Sequence, residues 1–304
     1  MSPEPWYRTT LRWAQTNLVE CDPTRYDADW WRAHWRKTRI QGVIVNAGGI
    51  VAYYPSRFPL HHRAEHLGER DLYGEIVALA REEGLTVLAR MDSNRVAQDF
   101  FEAHPDWICR DAEGEPIRVA DKYVTCIGSP YYAEYLPDVM REIIERSSPD
   151  GFTDNSWAGL SRSQICHCEH CERQFRDRTG QDLPRAHDWE SDTYAEWIRW
   201  NFERRTELWR FNNRVTREAG GEHCAWMGMI GGELLYNSSR FIDLQQIMPE
   251  ASVVMLDHQR RNDQDGFEQN TEAGKRLHEV AGWDKLIPES MPQYQLGAPV
   301  FRLA

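Results

Sequence analysis

The chain has 304 residues, 41% hydrophobic and 28% charged, a balance that fits a globular protein with ample material for a core. The formal net charge of −12, with no basic stripe against it, argues against a nucleic-acid partner. The N-terminal residues lack a secretory pattern and no apolar run is long enough to cross a bilayer, which predicts a cytoplasmic protein without a membrane partner. A monomer and a homo-oligomer both stay open.

Short apolar or β-branched runs alternate with amphipathic stretches along the chain, the pattern of βα units that build a parallel sheet. The predicted strands lie within 11–20, 41–49, 85–94, 150–157, 224–232, 252–259 and 285–293. The clearest helices are predicted at 27–39, 71–84 and 190–219. This order of elements predicts an α/β fold of the (β/α)8 TIM-barrel type.

Seven strands can be assigned, whereas a closed barrel of this type has eight. The sequence stops at "GAPVFRLA", soon after the seventh predicted strand, so the eighth unit is expected to be missing or truncated. We therefore read residues 1–304 as one barrel domain that is incomplete at its C-terminus.

Polar residues stand at the carboxyl ends of the predicted strands, where barrel enzymes carry their catalytic groups. They are Asn46, Asp92, Asp154, Asn155, Glu233, Asp257, His258 and Glu289. Because Asp and Asn also cap helices and form turns, a purely local structural role is the alternative for these residues.

The segment "CHCEHC" places Cys166, Cys168 and Cys171 within six positions. Three thiolates from one loop suit zinc, and a structural zinc site needs a fourth ligand. The leading candidate for that ligand is Cys126, with Cys109, His167 and His170 as rivals. Four thiolates would leave no open position on the metal, so such a zinc would clamp two loops together; free thiols are the alternative.

Three stretches resemble known glycosidases. "HPDWICRDAEGEPIRVADKYVTCIGSPYYAEY" resembles the stretch of the family 42 β-galactosidases in which a cysteine, matching Cys126, supplies the remaining zinc ligand. "TDNSWAG" followed by "CHCEHCERQFRDRTG" resembles the family 42 β-galactosidases, with their T-D-N-E motif after the fourth strand and their C-x-C-x-x-C loop. "VIVNAGGIVAYYPSRFPLHH" resembles uncharacterised glycosyl hydrolases of the TIM-barrel type, with a fainter likeness to α-fucosidases. The resemblance covers roughly residues 10–180 and is thin beyond them.

The resemblance implies a barrel glycosidase with a structural zinc that Cys126 completes, and a sugar hydroxyl held by Asn155. The acid/base glutamate of the β-galactosidases falls at Ser156, so that assignment does not transfer. Asp154 matches the strand-four nucleophile of the α-fucosidases. Glu289 lies where strand order places the β-galactosidase nucleophile.

These observations predict a glycoside hydrolase acting on a small glycoside or oligosaccharide, with Asp154 and Glu289 as the catalytic carboxylates. Glu233 and Asp257 are the reserve carboxylates. The residues expected to bind the sugar are Asn46, Arg90, Asp92, Asn155, Trp157, Asp257 and His258, with Trp157 as an aromatic floor.

Several alternatives to this reading stay open. Arg90 and Asp92 could form a local ion pair, and Tyr53 and Tyr54 could be either a sugar platform or a hydrophobic plug. A non-catalytic carbohydrate-binding barrel is the second hypothesis, motivated by Ser156. A zinc hydrolase that uses the cysteine cluster is the third.

Overall fold

The computed structural model of the protein describes residues 4–257 and 266–288. Its strands are β1 (Trp13–Thr16), β2 (Gly42–Gly49), β3 (Thr86–Asp92), β4 (Arg95–Val96), β5 (Arg118–Val119), β6 (Lys122–Val124), β7 (Gly151–Asp154), β8 (Ala225–Gly231), β9 (Val254–Asp257) and β10 (Leu286–Pro288). Its α-helices are α1 (Trp6–Thr9), α2 (Ala28–Thr38), α3 (Leu72–Glu82), α4 (Gln98–Ala103), α5 (Leu136–Ser147), α6 (Glu169–Thr179), α7 (Asp192–Gly220), α8 (Leu234–Ser239), α9 (Leu244–Ile247) and α10 (Gly266–Ala281).

Seven strands form one parallel sheet in the order β1-β2-β3-β7-β8-β9-β10. Each strand therefore pairs with the strands that precede and follow it in this series, which is the winding of a (β/α) barrel. All seven fall inside the runs predicted from the sequence, and the α/β barrel-type fold is confirmed. An eighth strand of this sheet is not found within residues 4–257 and 266–288.

The first residues of the central strands are apolar because, in a barrel-type sheet, helices cover the outer face and side chains fill the interior. The segments Val43–Val45 and Val87–Ala89, in β2 and β3, are at most 1% exposed. Helix α3 begins where the Asp71 carboxylate accepts a hydrogen bond from Gly74 N at 2.7 Å, a regular N-cap. Glycine at the left-handed position 84 (φ +70°) follows this helix.

The loop after β2 is fixed to α5 by the buried carboxylate of Glu142. Glu142 accepts hydrogen bonds from Tyr54 Oη at 2.9 Å, Ser56 Oγ at 2.8 Å and the backbone N of Arg57 at 2.6 Å. Tyr53, 3% exposed, donates to the carbonyl of Leu18 at 2.8 Å. The two tyrosines are therefore a plug beneath the loop, and the structure does not support the alternative of a sugar platform.

The short helix α1 lies across the amino ends of the strands. Trp6 Nε1 donates to the carbonyl of His223, just before β8, at 2.9 Å. Arg8 pairs with Asp284, just before β10, at 2.5 Å. The start of the chain thus contacts the start of the last described strand, and the opposite, carboxyl ends of the strands stay accessible.

A second sheet, with the antiparallel order β4-β6-β5, follows β3 and was not predicted. Its strands have only two or three residues, too few to show an alternating pattern. This sheet carries the segment up to Cys126 toward the loop that contains "CHCEHC". No helix among the described residues is long and apolar enough to cross a membrane.

Candidate functional site

A polar cluster occupies the carboxyl ends of β2 and β3. Asn46 Nδ2 lies 3.3 Å from Asp92 Oδ2, and Arg90 Nε lies 3.7 Å from the same oxygen. Arg90 also donates to Asn17 Oδ1. Burial raises the pKa of Asp92, while Arg90 and Asn155 oppose that rise. Four predicted sugar-binding residues, Asn46, Arg90, Asp92 and Asn155, are thus brought together, and the expected ion pair is part of the cluster.

Asp154, the last residue of β7, is buried beneath this end of the sheet and is 1% exposed. Its Oδ2 accepts a hydrogen bond from Ser93 Oγ at 2.5 Å, and its Oδ1 accepts one from Ser156 N at 3.1 Å. Burial, aided by the charge of Asp92, raises the pKa of Asp154 to about 7, and the two serine hydrogen bonds oppose this rise. Asp154 is therefore a nearly enclosed carboxyl at the edge of the site.

An open cleft of about 570 Å³ lies beside this cluster, at the carboxyl ends of β3, β7, β8 and β9. Asn155 and Ser156 form one part of its wall, and the turn after β8 forms another. Among the described residues, two carboxylic acids line the cleft, Glu233 and Asp257. Both are strand-end residues that were predicted from the sequence as reserve catalytic carboxylates.

Strand pairing places the two cleft carboxylic acids on neighbouring strands. Asp257 ends β9 and pairs in register with Gly231, which ends β8. Glu233 lies two residues after Gly231 and is half exposed. Its Oε2 is 3.9 Å from Nη1 of Arg276 in α10. The two acids are thus on adjacent strand ends facing one cleft, the location expected for catalytic groups in a barrel.

Glu289 and His258 lie outside the described residues, so their predicted roles stay predictions. Trp157, the predicted aromatic floor, is only 1% exposed and meets Trp209 and Trp226 edge to face, so little of its ring is available to a sugar. Trp157 lines the base of the cleft only at its edge. The aromatic ring that the cleft wall does offer is Tyr236 of α8, half exposed.

Arginines that the sequence analysis did not select also shape the cleft. Arg205, 2% exposed, donates to the carbonyls of Ala158 at 2.8 Å and Leu160 at 3.1 Å, and Arg240 donates to Gly159 O between them at 3.1 Å. These bonds fix the loop after β7. Arg95 also lines the cleft. Because arginines are common on any surface, their positions in the sequence carried no signal for this role.

The structure brings Cys126, Cys166, Cys168 and Cys171 together, as predicted. Their Sγ atoms all lie within 4.8 Å of one another, and Cys126 Sγ is 3.3, 3.4 and 4.0 Å from those of Cys168, Cys171 and Cys166. Four sulfurs at ~2.3 Å from a tetrahedral zinc would be roughly 3.8 Å apart, so the donor set and its spacing fit a metal ion.

The rival ligands do not belong to this group of four. The Cys109 thiol is buried nearby, with its Sγ 3.4 Å from the carbonyl of Thr125. His170 Nε2 faces Asp106 at 3.6 Å. His167 is likewise outside the cluster found among the described residues. Arg204 approaches Cys171 Sγ at 3.7 Å and places a positive charge beside the thiolates.

Comparisons with known proteins agree with the barrel-type fold. Residues 31–156 match the family model described as "Hypothetical glycosyl hydrolase 6". No curated protein sequence matches the chain.

Three solved structures illustrate the likeness of fold. A cold-adapted β-galactosidase from Rahnella sp. R3 superposes with a TM-score of 0.70 at 15% identity, covering 97% of this chain and 47% of that one. The PgaB glycoside hydrolase domain from Bordetella bronchiseptica gives 0.69 at 11%, covering 91% and 83%. α-L-Fucosidase isoenzyme 2 from Paenibacillus thiaminolyticus gives 0.54 at 14%, covering 89% and 49%.

The chain thus spans about half the length of the fucosidase and the β-galactosidase. The resemblance to glycosyl hydrolases of the TIM-barrel type, which the sequence predicted from local motifs, is confirmed by the family model and by the shared fold. The chain is therefore similar in fold to the TIM-barrel glycosyl hydrolases, and residues 31–156 match a glycosyl hydrolase family model.

Proposed function

We propose that this protein is a glycoside hydrolase whose active site is the cleft at the carboxyl ends of β3, β7, β8 and β9. The observation that carries the proposal is that Glu233 and Asp257 line one cavity of about 570 Å³ from adjacent strand ends. Glycoside hydrolysis needs two carboxylic acids on either side of the scissile bond. A cavity of this size accommodates a small saccharide.

In this proposal one of the two acids protonates the departing glycosidic oxygen, while the other, ionised, acts as nucleophile or activates water. Asn155, exposed at the cleft wall, supplies amide hydrogen bonds to sugar hydroxyls. Tyr236 offers its ring to the apolar face of a sugar. The cluster of Asn46, Arg90 and Asp92 extends the polar surface from Asn155 toward β2.

Asp154 with Glu289 stays the alternative catalytic pair that strand order favours. Asp154 has the raised pKa expected of a general acid, but it is almost fully enclosed and hydrogen-bonded to Ser93. We therefore propose that Asp154 acts mainly by positioning. It accepts from the backbone N of Ser156 and so fixes the turn that presents Asn155.

The test is hydrolysis of a panel of aryl glycosides, covering several sugars in both anomeric forms, by the wild-type protein and by Glu233→Gln and Asp257→Asn. We expect turnover by the wild type and a loss of at least about 100-fold in each variant, since acid–base assistance contributes 10²–10⁴-fold. Glu222→Gln, at the exposed turn before the opposite end of β8, is the matched control and should keep full activity.

The outcome also separates the two candidate pairs. If Glu233→Gln and Asp257→Asn retain activity while Asp154→Asn and Glu289→Gln lose it, the alternative pair is correct. If Asp154→Asn keeps kcat within about tenfold while raising KM, its role is positioning, because the chemical step does not then need its carboxyl group.

A non-catalytic carbohydrate-binding barrel is the second candidate. It is favoured by Ser156, which stands where the β-galactosidases have their acid/base glutamate; its Oγ is engaged by the backbone N of Asn94 at 3.3 Å. A serine hydroxyl cannot donate a proton with a useful pKa. Sugar binding by calorimetry, together with no turnover across the whole glycoside panel, would favour this candidate over the hydrolase.

We further propose that the four-cysteine cluster holds a structural zinc ion. Cys126 comes from the segment after the small antiparallel sheet, and the other three ligands come from the loop after β7, so the metal would clamp these two parts of the rim. Four thiolates leave no coordination position for water or substrate, which argues against a zinc hydrolase. Arg204 would offset part of the negative charge of the ligands.

A further inference from the structure

The cleft contains cationic as well as acidic side chains. Arg95 and Arg240 line its wall together with Glu233 and Asp257. Arg95 follows β3, whereas Asp257 ends β9, and two strands of the sheet lie between them. Three strand spacings correspond to roughly 14 Å, about the length of two sugar residues.

Arg95 presents an open guanidinium fork to the cleft. Its Nε donates to Asn94 Oδ1 at 3.2 Å, which fixes the plane of the group. Within the described part of the chain, its two terminal nitrogens have no hydrogen-bond partner and the side chain forms no salt bridge. It is half-buried, so its charge faces the cavity and not open solvent.

Arg240 is held in place by neutral groups. It donates to Gly159 O at 3.1 Å and to Tyr236 Oη at 3.4 Å, and its guanidinium lies 5.9 Å from the Tyr236 ring centroid. None of these partners carries a negative charge, and no salt bridge of Arg240 is found among residues 4–257 and 266–288. Arg240 is therefore available to a negatively charged group in the cleft, which Glu233 also lines.

A neutral sugar is recognised by amides, hydroxyls and carboxylates, which can both donate and accept hydrogen bonds or accept them from sugar hydroxyls. Arginine only donates, and its planar fork matches the two oxygens of a carboxylate or the oxygens of a sulfate ester. Arg95 is close enough to Asp92 to oppose the rise in the pKa of that carboxyl. Neither Arg95 nor Arg240 forms a salt bridge within the described residues, however, so in a partly enclosed cleft both are available to an anion.

We propose that the substrate is an acidic saccharide, with its carboxylate or sulfate group bound by Arg95 and Arg240. This inference rests on the proposed function, because it assumes that the cleft takes a saccharide. The anionic group would sit at the β3–β7 side and the glycosidic bond at the β8–β9 side. In this orientation the substrate charge is kept away from Glu233 and Asp257, which would otherwise repel it.

The test compares matched ligands by isothermal titration calorimetry at low ionic strength: methyl glucoside, methyl glucuronide and glucose 6-sulfate, with the corresponding galactose series. We expect at least one acidic member to bind ten or more times more tightly than its neutral partner, with the difference shrinking as NaCl is added. The uronide and sulfate arms distinguish the two kinds of anion. Equal or tighter binding of the neutral member in every pair would overturn the proposal, as would no binding of any acidic member.

Variants assign the preference to the two arginines. Arg95→Gln and Arg240→Gln should each reduce binding of the acidic ligand about tenfold and leave the neutral partner within twofold. Arg240→Gln also removes the bond to Gly159 O, so Arg95→Gln, which leaves the loop untouched, is the decisive variant. An unchanged acidic preference in a folded Arg95→Gln protein would contradict the assignment.

Arg118→Gln is the matched control for these variants. Arg118 also lies over a tyrosine ring, 4.7 Å from the Tyr123 centroid, but on the small antiparallel sheet and outside the cleft. Arg118→Gln should leave the affinities for the acidic ligand and for its neutral partner unchanged. Hydrolysis of neutral glycosides without an acidic preference would overturn this inference and leave the proposed function standing. Binding of an acidic ligand without hydrolysis of any glycoside would overturn the proposed function and leave the acidic preference standing.

Discussion

Ser93 Oγ donates a hydrogen bond of 2.5 Å to Asp154 Oδ2 at the end of β7, where the carboxyl group is almost completely enclosed. This single hydroxyl and the backbone N of Ser156 do not offset the loss of water around the carboxylate, so the pKa of Asp154 rises to about 7. Protonation of Asp154 is thereby linked to the stability of the fold.

The first prediction concerns the pH dependence of stability. Because the pKa of Asp154 is higher in the folded than in the unfolded chain, its protonated form stabilises the fold at low pH, and this contribution is lost as pH rises through about 7. The free energy of unfolding should therefore fall between about pH 4 and pH 7, by at most about 1.4 kcal/mol per pH unit from this group.

Urea denaturation at several pH values checks this prediction. Asp154→Asn, which is close in shape and cannot ionise, should reduce the slope, while part of it persists because burial raises the pKa of Asp92 in the same direction. The exposed Asp138→Asn on α5 is the control and should keep the wild-type slope. A slope that is identical in Asp154→Asn and the wild type would show that Asp154 does not titrate in this way.

The second prediction concerns the buried carboxylate of Glu142. Glu142→Ala leaves Tyr54, Ser56 and the backbone N of Arg57 without their acceptor in a dry environment. Each unsatisfied buried donor costs about 1–3 kcal/mol, so we expect a loss of at least about 3 kcal/mol in the free energy of unfolding.

Tyr54→Phe, which removes one of these donors, should cost clearly less than Glu142→Ala. Glu145→Ala is the matched control one turn along α5. Its carboxylate is 68% exposed and pairs with Arg57 on the surface, so its loss should change stability by less than about 1 kcal/mol. Equal effects of Glu142→Ala and Glu145→Ala in denaturant titrations would contradict the structural role of this network.

The third prediction concerns the tryptophans under the cleft. Trp157, Trp209 and Trp226 meet edge to face with centroid distances of 5.3–5.7 Å, and Trp157 Nε1 donates to Met229 O at 3.0 Å. Trp157→Ala should cost about 3–5 kcal/mol of stability. The exposed Trp30→Ala on α2 should cost far less, since this ring is 55% exposed.

Gly228 provides an independent test of the same packing. A Cβ at this position would lie 2.3 Å from Trp157 Nε1, so Gly228→Ala must displace the indole or the strand. We expect a clear fall in Tm and a change in near-ultraviolet circular dichroism from the tryptophans. A Gly228→Ala protein with wild-type Tm and spectrum would mean that Trp157 does not pack against β8 as found.

The fourth prediction concerns the metal. Protein purified from zinc-supplemented cells should contain about one zinc per chain, and Cys168→Ser should lose it with a lowered Tm, since a structural zinc contributes directly to folding. Cys21→Ser, outside the cluster, is the control and should keep the metal. Wild-type protein that carries no metal by elemental analysis, or whose Tm is unchanged by a strong chelator, would contradict the proposed clamp.

The barrel-type fold was accessible from sequence because its signals are strong and local. Strands such as Gly42–Gly49 are continuous apolar runs, and helices such as Leu72–Glu82 have a capping aspartate and a glycine stop. The cysteine cluster could be predicted for a similar reason, since three of its four members lie in one loop. The approach of Cys126 needed the family resemblance, because it comes from 40 residues earlier.

The details of the site were less predictable. A polar residue at a strand end can face the cavity or the interior. A shift of one position along the chain is enough to change which it faces, since Asp154 is enclosed whereas Asn155 is exposed. Trp157 looked like a sugar platform because aromatic residues serve both cores and clefts. Arg95 and Arg240 reach the cleft from loops whose course depends on long-range packing, which a single sequence does not encode in a visible pattern.

The agreement between strand order and chain order bears on how the protein forms during synthesis. Each new βα unit emerging from the ribosome can add to the edge of the sheet already made, so each pairing needs only the preceding strand and the segment that connects the two. The contact between Arg8 and Asp284, 276 residues apart, can form only after Asp284 has been synthesised. Until then the growing sheet exposes an unpaired edge, the state in which such a chain most needs protection from association with its neighbours.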